Sequence, residues 1–164
     1  MPPTAFVTDT SLDALARRLR VLGYDVISHQ GARLDEIIEL ARLDGRTVLT
    51  LSRRRPKGLN AVPLENVPRE DLAAAVRSLA GRHEPAGVPF SRCALCNTAL
   101  EPRHPMEAQG EIPGRVLRGL RSALYCPGCG KWYWRGSHVD RLCRWFTATL
   151  GRSVEWPHDR EGAG

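Results

Sequence analysis

Apolar positions in the first eighty residues follow two alternating rhythms. Ala5-Phe6-Val7 is a short apolar run leading into Asp9, after which Leu12, Leu15, Ala16, Leu19 and Leu22 recur at helical spacing. Ser11 or Thr10 is the expected cap of that helix and Gly23 its stop. Tyr24 to Ser28 reads as a second strand, and Leu34, Ile37, Ile38 and Ala41 mark a second helix ending at Gly45. Arg46 to Leu51 is the most strand-like run of the chain. Ala61 to Leu64 follows as a fourth strand, and Leu72, Ala75, Val76 and Leu79 give a further helix beginning near Pro68. Strand and helix in strict alternation imply parallel strands joined by helical crossovers, hence an α/β domain with a three-layer core. In such sheets function gathers at the carboxyl ends of the strands.

The rhythm breaks at GRHEPAGVPFS, whose prolines and glycines have linker composition. The expected organisation is an α/β domain over residues 1–82, a linker over 83–91, a smaller unit over 92–151 and a flexible tail over 152–164. In the smaller unit, Ile112 to Leu124 is expected to hold a short helix. Val139, Leu142, Cys143, Phe146 and Leu150 share one face of a last helix, with Ser137 and Asp140 spaced as its cap.

Four of the five cysteines form two C-x-x-C pairs, Cys93/Cys96 and Cys126/Cys129. No leader-like stretch and no membrane-length apolar run accompanies them, so a cytoplasmic, reducing setting and metal rather than disulfides are expected. Zinc takes four thiolates in a tetrahedron, and two residues between ligands let a tight turn aim both sulfurs at one ion. Asn97 and Gly130 follow the second cysteine of each pair, where a left-handed residue closes the turn. Twenty-nine residues separate the pairs, which suits a zinc ribbon with an inserted loop. Redox-active dithiols or buried free thiols are the alternative. A four-thiolate site is closed, so the zinc would be structural. Cys143, on an apolar helix face, reads as a packed core thiol.

Three stretches carry a family resemblance: FVTD followed by RLRVLGYD between Phe6 and Asp25, LDEIIELARLDGRTVLT from Leu34 to Thr50, and RCALCN with YCPGCGKWYWRGSH between Arg92 and His138. Together they resemble the Mut-seven C-terminal (Mut7-C) family of PIN-like ribonucleases. The resemblance implies a PIN-like parallel-sheet domain followed by a small zinc ribbon and a C-terminal helix, and metal-dependent cleavage of RNA. Such cleavage needs carboxylates from different elements, holding magnesium or manganese at the carboxyl edge of the sheet. Asp9, just past the first strand, stands where the first carboxylate belongs, although the same residue suits a helix cap. Asp35 and Glu36 open the second helix, where the family carries acids. Two departures stand out. The family has a T-R-D element after the third strand where this chain has Thr50-Leu51-Ser52, replacing a metal-binding aspartate by a neutral hydroxyl. In the first helix, SLDALARRLR replaces a stretch in which the family tends to carry glycine and tryptophan, so Asp13 and Arg18 are further differences.

The net charge of +6 comes almost entirely from arginine, the side chain suited to bidentate phosphate contacts. Arg53, Arg54 and Lys57 follow Ser52, and Lys131, Trp134, Arg135 and His138 interleave cations and rings beside the second cysteine pair. Stacking on rings combined with phosphate charge is how single-stranded RNA is commonly held. One of Trp132 and Trp134 is expected to pack over the metal site or against the α/β domain. The expected function is a metal-dependent ribonuclease acting on single-stranded or structured RNA, with tRNA or the ribosome as candidate partners and no membrane. The alternative is a catalytically impaired RNA-binding or ribosome-associated protein that keeps the fold.

Overall fold

The computed structural model describes residues 3–29, 33–52, 57–64, 67–68 and 70–157. The α/β alternation of the sequence is realised as β1 (Ala5–Asp9), α1 (Asp13–Val21), β2 (Asp25–His29), α2 (Leu34–Asp44), β3 (Thr47–Thr50), β4 (Ala61–Pro63) and α3 (Leu72–Ala80). The four strands form one parallel sheet in the order β2-β1-β3-β4. Alternate side chains of each strand go to opposite layers. Val7 and Val48 meet Ile37 and Ala41 of α2 on one face. Phe6, Val26, Leu49 and Val62 join α1 and α3 on the other. Three layers result, as the periodicity implies.

The second half is a three-stranded antiparallel sheet, β5 (Glu101–Arg103), β6 (Ala123–Tyr125) and β7 (Trp132–Tyr133), in the order β5-β6-β7. The insert between the cysteine pairs holds a 3₁₀ turn at Pro105–Ala108 and α4 (Gly114–Leu117). The last helix, α5 (Ser137–Leu150), returns to the first half: Phe146 is fully buried in the larger core, and Arg77 of α3 donates to the Thr149 carbonyl at 3.1 Å. That core also takes Leu124 of β6, so the two halves share it.

The segment of linker composition runs along the α1–β2 turn. Gly87 N–H donates to the Gly23 carbonyl at 3.0 Å and Phe90 N–H to the Val21 carbonyl at 2.7 Å. Gly23 has φ +92, and a Cβ there would lie 2.7 Å from the Val88 carbonyl oxygen, so the close approach of the two backbones requires glycine. Beyond Gly151, Val154 and Trp156 are buried, and the Trp156 ring lies 5.0 Å from that of Phe90. The tail as far as Pro157 is therefore packed, because two large apolar side chains find room against the core, with Trp156 beside Phe90.

Three cap positions differ from the sequence reading. Asp9, not Ser11 or Thr10, accepts the Ser11 N–H at 2.8 Å and opens a 3₁₀ turn at Thr10–Leu12 ahead of α1. Asp71 caps α3 by accepting from the Ala74 N–H at 2.9 Å, so that helix starts at Leu72 and not near Pro68. Gly136 precedes α5 with no side-chain cap, and Ser137 is its first residue. A carboxylate beside the first turn competes well with hydroxyls for orphan N–H groups, which accounts for the first two.

Candidate metal centre and nucleic-acid surface

Each cysteine pair sits on a tight turn closed by a left-handed residue, Asn97 at φ 69 and Gly130 at φ 74. The two turns repeat one hydrogen-bond pattern. Asn97 N–H donates to the Cys93 carbonyl at 2.9 Å, and Gly130 N–H to the Cys126 carbonyl at 2.8 Å. The four sulfurs converge from the two turns, all within 4.8 Å of one another. Cys93 Sγ lies 3.7 Å from Cys129 Sγ, and Cys96 Sγ 3.4 Å from Cys126 Sγ. Four thiolates about 2.3 Å from a tetrahedral zinc stand roughly 3.8 Å apart, whereas disulfide sulfurs stand at about 2.05 Å. The donor set fits one zinc ion and is not a pair of disulfides. Gly128 completes the packing, because a Cβ there would run into the Thr98 side chain and lie 3.3 Å from Cys96 Sγ.

Burial pushes both Cys96 and Cys126 up. Around Cys96, hydrogen bonds from Thr98 and the neighbouring sulfurs outweigh that and bring the thiol down to about 6, while Cys126 is pushed up to about 12. Tyr133 Oη lies 3.0 Å from Cys93 Sγ. Burial, then the neighbouring sulfur, raises the phenol, so it stays protonated and donates to the thiolate. Tyr133 is therefore the aromatic residue beside the metal site. Trp132 and Trp134 instead pack on Ile112, Leu117 and Ala123, against the insert and neither over the cysteines nor within the α/β half. Sequence gave no means of ranking three adjacent rings, since each differs only in which way a two-residue strand faces.

The first turn is also bonded to the parallel sheet. Arg20 of α1 is 2 % exposed. Its Nε donates to the Val26 carbonyl at 2.8 Å, Nη1 to the Ala94 and Leu95 carbonyls at 3.0 and 3.1 Å, and Nη2 to Ser28 Oγ at 2.8 Å. Asn97 accepts the Val26 N–H at 3.1 Å and donates to Asp25 Oδ1 at 2.8 Å. Asp25 is further held by Arg46 at 2.8 Å and Arg92 at 3.5 Å. Burial alone would raise the Asp25 carboxyl, but the bonds from Arg46 and Asn97 and the nearby arginine charges hold it below its usual value. A carboxyl depressed in the folded state contributes stability above its unfolded pKa of about 3.9 and loses it as pH falls through the folded value. The unfolding midpoint of Asp25→Asn should therefore lie below that of wild type by a constant amount above about pH 5, with the gap closing below about pH 4. A gap independent of pH would show that the charge contributes nothing.

The carboxyl edge of the parallel sheet carries the candidate acids. β1 connects to β2 on one side and β3 lies on its other side, so the chain reverses direction between the carboxyl ends of β1 and β3, where ligands enter such sheets. Asp9 ends β1 level with His29 of β2, and Ser52 lies two residues past β3. Asp9, Asp35, Glu36 and Ser52 are all exposed. Asp9 accepts from both the Ser11 N–H and the Ser11 hydroxyl, Asp35 pairs with Arg33 at 3.4 Å, and Glu36 accepts the Arg33 N–H at 3.1 Å. Among the described residues, the four cysteines alone gather three or more potential ligand atoms. As placed, the three acids are engaged by caps and a surface pair and Ser52 is neutral, so they do not converge on a magnesium or manganese ion in this arrangement, and no chemical step is derived through one.

Of the cationic candidates, Arg53 and Arg54 lie outside the described residues. Lys57 is exposed, as are Lys131, Arg135 and His138 on the ribbon, with Trp134 half-buried beside them. Arg135 is paired with Asp140 at 3.1 Å, and Lys131 lies 5.8 Å from the Tyr133 ring. No helix of the described residues is long and apolar enough to cross a membrane. A family model described as "Mut7-C RNAse domain" matches residues 4–146, most of the chain. No curated protein and no solved structure matches it.

Proposed function

The chain belongs to the Mut7-C RNAse domain family, and on that premise we propose that it acts on RNA, gripping single strands through the cationic and aromatic surface of its ribbon. The observation that carries this reading is the placement of KWYWRGSH: it leaves the second zinc turn and leads into α5 with Lys131, Arg135 and His138 exposed around Trp134. The cysteine site fixes the start of that segment, so the metal is a structural support for the surface. With about three phosphates neutralised on a single strand, raising salt from 50 to 200 mM is expected to weaken binding by roughly 20-fold. Fluorescence anisotropy with a labelled single-stranded RNA measures this, and a salt-independent affinity would count against the reading.

A second reading, hydrolysis of RNA, is favoured by the position of Asp9 at the point where the sheet reverses direction. It makes Asp9, with Asp35 or Glu36, the reacting edge. In that case purified protein supplied with magnesium or manganese cleaves the RNA, and Asp9→Asn lowers the rate by about 100-fold or more while affinity is unchanged. Equal cleavage by variant and wild type would remove Asp9 from the chemistry. Binding with no cleavage leaves the protein as a holder of RNA.

A further inference from the structure

Between α1, the first cysteine turn, β7 and the start of α5 runs a groove of about 760 Å³. Its floor is apolar and aromatic: Leu95, Val139 and Leu142 with the rings of Trp132, Tyr133 and Trp134. Arg17 and Arg18 stand on the α1 side and Lys131 and His138 on the ribbon side. No carboxylate lines it among the described residues. Leu95 is 44 % exposed there although its turn is bonded to α1 and β2, and Arg18 is held over the Trp145 ring at 5.0 Å. We infer that this groove is the seat of single-stranded RNA, with bases on the aromatic floor and phosphates between the two cationic rims.

The inference rests on the proposed action on RNA and gives it a place. Charge complementarity selects the occupant: Arg17 is paired with Asp13 at 2.8 Å, but Arg18 and Lys131 leave the rims with a net positive charge, which calls for a polyanion. The floor selects its form. Unpaired bases present flat faces to stack on rings, whereas a duplex offers only its backbone and would leave Leu95 and the tryptophans in water. The volume falls in the roughly 300–1,000 Å³ range of small-ligand clefts, room for a few nucleotides and not for a double helix. Direction follows from the fold. The groove reaches Ala14 and Leu72, in the first turns of α1 and α3, and in a parallel sheet those turns leave the carboxyl edge where Asp9 stands. One end of the groove therefore opens toward the carboxyl edge on which Asp9 stands. Arg18, one of the departures from the family pattern, becomes part of the grip.

The test uses the full chain with its zinc and a labelled single-stranded RNA of about twelve nucleotides at 50 mM salt, read by anisotropy and by quenching of tryptophan fluorescence. Arg17→Glu, on an exposed helix face, and Leu95→Glu, in the floor, are each expected to weaken binding at least about 10-fold, while Arg121→Glu, the same charge change outside the groove, changes it less than about twofold. Zinc content and circular dichroism confirm that each variant folds, and Arg17→Glu keeps the test alive if Leu95→Glu does not. Unlabelled duplex of equal length should compete at least about 10-fold less well than single strand. Wild-type binding with both groove variants unaffected, or with Arg121→Glu equally damaging, overturns the groove and leaves the action on RNA standing. An acidic peptide displacing the probe as well as RNA does, or a dimer that Leu95→Glu abolishes and RNA leaves intact, gives the groove to another occupant and overturns it too. No binding by wild type overturns the proposed function itself.

Discussion

Cys126→Ser should abolish the zinc content of the protein, about one ion per chain in wild type, and unfold the ribbon with it. Cys126 Sγ is one of four converging donors and the residue is fully buried. A serine hydroxyl is a poor substitute for a thiolate on zinc, and three thiolates in so small a unit would share their site with water. In zinc-dependent peptides the metal contributes an apparent 10–16 kcal/mol near neutral pH, which matches or exceeds the roughly 5–15 kcal/mol that holds a whole domain together. The three strands of the ribbon, two or three residues each, cannot supply that from their own packing. The loss should spread. Asn97 takes the Val26 N–H, and the carbonyls of Ala94 and Leu95 take Arg20, so an unfolded first turn strips partners from β2 and α1. Elemental analysis, tryptophan fluorescence and thermal melting of the variant measure the three consequences. A variant that melts cooperatively near the wild-type temperature would show that the cysteines are not the staple.

Arg20→Leu is expected to destabilise the protein by at least about 3 kcal/mol. The substitution removes all four guanidinium bonds at once, leaving the buried Val26 carbonyl and the part-buried Ala94 and Leu95 carbonyls short of a donor. Each buried group left unsatisfied costs about 1–3 kcal/mol, and disrupting buried charged networks typically costs about 3–5 kcal/mol. For a chain of this size that lowers the melting temperature by about 6–12 °C. Arg20→Lys should recover little, because one ammonium on a flexible stem cannot reach acceptors that a planar fork bridges on both sides. Zinc should still bind, since the ligands are untouched, and amide exchange at Val26 and in the 93–98 turn should rise first. Full rescue by lysine would mean that Arg20 acts only as a charge.

These expectations mark how much of the molecule could be read from its sequence. The α/β alternation, the parallel sheet and the cysteine quartet were legible because each rests on short spacings: period two, period 3.6, and two residues between cysteines with a left-handed residue behind them. Helix starts were less so, since Asp9 lay one or two residues from other plausible caps and Asp71 lies three residues past Pro68, and the winner is decided by backbone geometry. The candidate acids were legible as residue types but not as a site. Asp35 and Glu36 share an edge of the sheet with Asp9, yet local partners occupy them, and only coordinates could have told a metal cluster from separate capping and surface roles.

What the sequence by itself determined, then, is a parallel-sheet domain, a four-thiolate centre and a cationic aromatic segment beside it. Tertiary structure alone decided that these form one continuous body. Arg20 meets the cysteine turn across 74 and 75 residues of chain, and Asn97 meets β2 across 71. No periodicity carries such pairings, because they depend on how α1 packs, not on what surrounds Arg20 in sequence. The groove has the same origin: its two rims come from α1 and from the ribbon, and charges that look scattered along the chain face one another only after the zinc turn is seated on the sheet.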